Sequence, residues 1–78
     1  MTGGWQVVLR DDDINTGATV AFVLHRVVGL PLDQAMDIPA RLEGGQMASV
    51  AYLSDQHDAE VLAARMQVFG LHSEVFAT

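Results

Sequence analysis

The sequence predicts a two-layer α+β sandwich: a three-stranded antiparallel sheet carrying three helices, in the order strand, helix, helix, strand, helix, strand (βααβαβ). Three observations predict it. Short β-rich runs bounded by turn residues stand near the start, in the second half and at the end of the chain. Between them, apolar residues recur at helical spacing. The 78 residues are 50% hydrophobic and include no Cys, so the core has to be hydrophobic packing alone. A chain of this length holds one domain, residues 1–78, and buries only roughly 60% of its unfolded surface.

Trp5-Gln6-Val7-Val8-Leu9 is an apolar β-rich run ending in charge at Arg10 and the triplet Asp11-Asp12-Asp13, a strand running into a loop. From Asn15 or Thr16, both good N-cap residues, Val20, Val23, Leu24, Val27 and Val28 follow helical spacing until Gly29 stops them. This is an amphipathic helix of about three turns. Pro31 opens a second helix, in which Ala35, Ile38 and Leu42 continue the spacing up to Gly44-Gly45. Pro39 lies inside it, and an interior proline costs about 3 kcal/mol, so a kink or an irregular finish is expected there. Met47 to Leu53 reads as the second strand, with residues 47 and 49 facing one way and 48 and 50 the other. Ser54 is placed to cap the third helix, with Asp55 and Asp58 in its first turn, where the helix dipole favours acids. Ala59, Leu62, Ala63, Met66 and Phe69 make its buried face up to Gly70, and His72 to Ala77 form the last strand.

Ten acidic residues against four arginines and no lysine give a formal charge of −6, which argues against a nucleic-acid reader that neutralises phosphates. It suits a partner bringing positive charge, such as a basic surface or a free amino group. No apolar stretch approaches the roughly 20 residues of a membrane span, and Met1-Thr2-Gly3-Gly4 lacks the features of a secretory signal, so a cytoplasmic protein is expected. Asp11, Asp13 and Asn15 alternate like calcium ligands, but the Gly and Glu that an EF-hand needs at its sixth and twelfth positions are Thr16 and Phe22. The triplet also reads simply as a solvated turn with an N-cap acid. His25, His57 and His72 are scattered, with no Cys to complete a zinc set, and Ser49, Ser54 and Ser73 have no nucleophile-elbow context. No catalytic residue, metal or cofactor is expected, and Trp5 and Tyr52 read as core or sheet-face residues.

The run Val7-Val8-Leu9-Arg10-Asp11-Asp12-Asp13 leading into a valine-rich helix at 20 to 24, then Ala35, Gly45 and Ala59-Glu60, resembles the ClpS family of adaptors for AAA+ Clp proteases over nearly the whole chain. The ending Phe69-Gly70-Leu71-His72-Ser73-Glu74-Val75 is similar to the actinobacterial branch. The resemblance implies a non-enzymatic adaptor that binds the N-terminal Phe, Leu, Trp or Tyr of a substrate protein (an N-degron) and delivers it to a Clp ATPase of ClpA or ClpC type by docking on its N-terminal domain. A free ammonium needs carboxylate or carbonyl acceptors, and a large side chain needs an apolar pocket. Carried across, Asp11 and Asp12 take the positions that hold the amine, with Asp13 beside them. Val20, Leu42 and Val75 match pocket-wall positions, with Ile38 a neighbour, and Asp55 and Glu60 fall where members dock on the ATPase.

The chain departs from the family at several of these places. Glu43 stands where the family has a His that helps hold the amine; ionised, it accepts but cannot donate. The following turn is one residue shorter. Gly17 replaces a bulky rim residue, which widens the pocket or leaves its gate open, and Glu60 reverses the charge of a common Lys. Only four residues stand before the first strand here, where the family has a flexible delivery extension. That extension is expected to be nearly absent from this chain unless the sequence starts within it. Two other readings stay open. The C-terminal domain of the bacterial ribosomal stalk protein is similar over residues 20 to 76, with Gly29-Leu30 and Asp58-Ala59-Glu60 in register, but its helices are lysine-rich. Glu43 and Gly17 also suit a ClpS-fold interaction module that has lost N-degron binding.

Overall fold

The computed structural model describes residues 3–10 and 16–78. Strand β1 (Trp5–Arg10) is followed by helix α1 (Gly17–Val23), a π-helical turn (Leu24–Val28), helix α2 (Leu32–Glu43), strand β2 (Ala48–Leu53), helix α3 (Gln56–Val68) and strand β3 (His72–Ala77). The sheet is antiparallel with strand order β2-β1-β3, so the α+β class and the order βααβαβ are as the sequence predicts. β1 takes the centre, where both its edges are paired, and Val7, Val8 and Leu9 are all buried. Helix α3 lies over β3 and β1, whereas α1 packs chiefly on α2, and a single cluster including Val7, Leu9, Val20, Leu24, Ala59 and Met66 fills the space between the layers.

Val7 pairs with Ala51 but Val8 with Ser49, which leaves Val50 as the extra residue of a β-bulge in β2. The bulge resets the alternation of the strand. Ala48 and Val50 are buried in the core, as residues 48 and 50 sharing a face requires, and after the bulge Ala51 and Leu53 pack against the core while Tyr52 stays 71% exposed. Met47 precedes the strand.

Four local expectations are corrected. The first helix is not a uniform α-helix, because Leu24–Val28 widen into a π turn that ends at Gly29 with φ 88°, where the Gly29 and Leu30 N–H groups both donate to the Leu24 carbonyl at 3.1 and 3.3 Å. His25 Nδ1 is engaged with the Leu30 carbonyl at 2.8 Å, tying this turn to the loop that follows. Second, α2 does not finish near Pro39 but runs on to Glu43, and Ala35, Ile38 and Leu42 are buried on both sides of the proline. Burial of these side chains outweighs the one backbone hydrogen bond that proline removes. Third, Asp55 rather than Ser54 caps α3, accepting from the Asp58 N–H at 3.1 Å. Fourth, Phe69 does not extend the buried face of α3. It follows the helix and is 49% exposed, because the chain turns there through Gly70, with φ 84°. At the start of α1, Thr16 is the N-cap, its hydroxyl accepting from the Thr19 N–H at 3.2 Å.

The Asp55 cap carries a testable consequence. Asp55→Ala removes the acceptor of one orphan helix N–H and is expected to cost about 0.5–2 kcal/mol. At roughly 4–8 °C per kcal/mol for a domain of this size, the thermal midpoint read by circular dichroism falls by several degrees, while Asp55→Asn or Asp55→Ser recovers most of the loss.

Candidate functional site

Asp11 and Asp12, the residues matched to amine binding, lie outside the described residues, as does Asp13. The third, Glu43, is the last residue of α2 and is exposed. The helix closes behind it through Gly45, which adopts φ 84°, a region only glycine enters freely, so that the Gly45 and Gln46 N–H groups reach the Leu42 and Arg41 carbonyls at 2.9 and 3.1 Å. Glu43 therefore adds its carboxylate to the negative end of the helix dipole. Both features attract an ammonium group.

Gly17 is the first residue of α1, and a Cβ placed on it would stand 3.2 Å from Pro39 Cβ. The two helices approach closely here because one contributes no side chain and the other a compact ring. The space directly beside Gly17, which the sequence leaves as a widened or open rim, is occupied by Pro39. Val20 lies one turn along α1 from Gly17, and Leu42 one turn along α2 from Pro39. Both belong to the packed core and keep only 5% and 4% of their surface open, so neither is free to swing. Gly17, Val20, Leu42 and Glu43 thus gather where the start of α1 meets the end of α2.

The remaining matched residues lie elsewhere around the helix layer. Ile38 is buried in the core and lines a groove between α2 and β2, together with Gln34, Asp37, Arg41 and Ser49. Val75 is half-buried against the core, pairs with Val7, and lines a groove between α3 and β3 that also takes in Glu60. Asp55 is committed to its cap, and Glu60 accepts from Gln56 Nε2 at 3.2 Å, so the two acids stand exposed near the start of α3.

Two features of this arrangement have no sequence signal. Pro39, legible only as a helix breaker, is the contact surface of Gly17. Ser73, at 7% exposure, donates its hydroxyl to the Ala63 carbonyl at 2.8 Å while Gln67 Nε2 donates to the Ser73 carbonyl at 3.1 Å. These bonds join α3 to β3 and hold Val75 and Glu60 along one groove. Among the described residues no group of three or more His, Asp or Glu side chains comes together to hold a metal ion, and no helix is long and apolar enough to cross a membrane.

The chain superposes on ClpS2 of Agrobacterium tumefaciens, whose structure was solved bound to L-phenylalaninamide, with a TM-score of 0.88 over 100% of both chains at 19% sequence identity. No family model and no curated protein matches the sequence. The architecture is a ClpS-like fold, with three antiparallel strands and three helices in the order βααβαβ.

Proposed function

We propose that the chain is a non-enzymatic adaptor that binds the N-terminal residue of substrate proteins, when that residue is Phe, Leu, Trp or Tyr, and presents them to the N-terminal domain of a Clp AAA+ ATPase of ClpA or ClpC type. The observation that carries this reading is the full-length likeness to a protein solved with L-phenylalaninamide, a ligand that joins a free α-amino group to an aromatic side chain. The chemistry of the matched residues agrees with it. Asp11, Asp12 and Glu43 supply carboxylates for an ammonium, and charge-assisted hydrogen bonds of this kind are roughly twice as strong as neutral ones. Val20 and Leu42, beside Gly17 where α1 meets α2, supply apolar surroundings, while Ile38 and Val75, the other matched residues, lie along separate grooves. A formal charge of −6 draws a cationic chain terminus toward the site. On the ATPase side, Asp55 and Glu60 present an acidic surface on α3, so the docking partner is expected to offer basic residues.

The test is fluorescence anisotropy with labelled peptides that differ only at the first residue. Peptides beginning with Phe or Leu are expected to bind, and one beginning with Lys is not. Acetylating the Phe peptide removes the charge that the carboxylates recognise and abolishes binding. If the acetylated and free peptides bind alike, the amine is not recognised and the reading fails. If none binds, the ClpS-fold interaction module without N-degron recognition takes its place.

A further inference from the structure

Helix α3 is apolar on two opposite faces. Ala59, Ala63 and Met66 turn inward and are buried, as a helix lying on a sheet requires. On the far side His57, Val61, Ala64 and Val68 are exposed, Val61 by 45% and Val68 by 82%. Their spacing of four, three and four residues is the seam repeat of paired helices, where a solvated face carries polar residues instead. The stripe runs the length of the helix, and the side chain of Ala64 near its middle is small enough to let another helix approach closely.

The residues flanking the stripe indicate what covers it. At helical spacing Asp58 and Arg65 border it on one side, and Glu60 and Gln67 on the other. Asp58 and Arg65 are exposed and in no ion pair among the described residues. They stand two turns apart, about 10 Å along the axis, too far to pair within one helix. A second α3 running antiparallel over the first removes that gap. With Val61 of each copy packed against Ala64 of the other, the two-fold axis sets each flank opposite the same flank of the second copy. Asp58 of each then meets Arg65 of the other, Glu60 meets Gln67, and symmetry forms both ion pairs together.

We propose that the outward face of α3 is a self-association surface, where a second copy of this chain lays its own α3 antiparallel over the stripe and closes it with two Asp58–Arg65 pairs. Antiparallel packing also opposes the two helix dipoles and keeps the acidic helix starts, with Asp55, Asp58 and Glu60, away from each other. One short stripe of valine and alanine buries little area and each chain carries −6, so the dimer is weak and concentration-dependent. The pairing stands apart from N-degron recognition. Its one tie to the adaptor reading is Glu60, which it covers, so where that reading holds the dimer is closed to ATPase docking through this residue.

Sedimentation equilibrium of the chain by itself, at about 0.15 M salt, tests this, with circular dichroism confirming that each variant is folded. Wild type is expected to show a reversible monomer–dimer equilibrium with a dissociation constant below about 1 mM. Asp58→Arg alone or Arg65→Asp alone sets like charges face to face twice, and each is expected to weaken dimerisation by at least about tenfold. The double exchange, Asp58→Arg with Arg65→Asp, restores it to near the wild-type value. Val61→Glu places a carboxylate in the seam and abolishes the dimer, whereas Tyr52→Ser, at an exposed residue of β2, leaves it unchanged. A chain that stays monomeric up to about 1 mM overturns the proposal, as does a dimer that is indifferent to both single reversals or that Tyr52→Ser disrupts in place of Val61→Glu. No peptide or ATPase takes part, so the outcome is independent of whether the adaptor reading holds.

Discussion

Replacing Asp12 with Ala is expected to weaken binding of a peptide that begins with Phe by roughly ten- to a hundredfold while leaving the fold intact. The magnitude follows from losing a hydrogen bond to a charged group, about 1.5–3 kcal/mol, in a site whose ligand brings a full positive charge. Asp12 is a charged residue in an acidic run that reads as a turn, so stability is expected to move by no more than about 0.5 kcal/mol. Asp12→Asn separates charge from shape, because it keeps an acceptor oxygen but removes the anion, and should fall between wild type and Asp12→Ala. Anisotropy titrations with the free and acetylated peptide measure both terms. Wild-type affinity in Asp12→Ala would remove the acid from the site and with it the amine-recognition mechanism.

The second large effect concerns the core. Leu24→Ala is expected to destabilise the protein by about 2–5 kcal/mol, since Leu24 is fully buried and the cavity left by its side chain cannot collapse against a packed helix layer. For 78 residues the whole stability is about 4–12 kcal/mol, so one side chain accounts for at least about a sixth of it. Thermal unfolding should shift down by roughly 10–30 °C, and the urea midpoint should fall with little change in slope. Val68→Ala is the matched control. That residue sits at the end of α3 with 82% of its surface exposed, so its truncation should cost less than about 0.5 kcal/mol. Equal losses at the two positions would contradict the inward orientation of Leu24.

This contrast shows how far the pattern of apolar residues can be read. In α2 the spacing of Ala35, Ile38 and Leu42 singled out the residues that the structure buries, because each is one helical turn from the next and the opposite face carries Asp33, Asp37 and Arg41. In α3 the same reasoning placed Ala59, Ala63 and Met66 correctly and then carried on to Phe69, beyond the end of the helix. The outer surface of α3 also bears Val61 and Val68, so hydrophobicity there does not separate inside from outside. What assigns the faces of α3 is the sheet beneath it, through the bond from Ser73 to the Ala63 carbonyl.

The candidate site divides in the same manner. Val20 and Leu42 were identifiable as apolar positions next to the start of α1 and the end of α2. That Gly17 meets Pro39 was not, because the two residues are far apart in the chain and touch only once α1 has packed on α2. Glu43 was visible as an acid at a helix end, but its placement on the negative pole of α2 depended on the helix surviving Pro39.

The amino-acid sequence by itself determined the class, the order of the six predicted elements and most of the core, since alternation and helical spacing record locally which side of each element must leave water. Only the tertiary structure decided the bulge at Val50, the π turn after Val23, the passage of α2 through Pro39 and the division of the matched residues among three places on the surface. The bulge, the π turn and the passage through Pro39 each set a local departure from regular backbone against burial gained from elements distant in the chain, and that gain exists only once the layers have met.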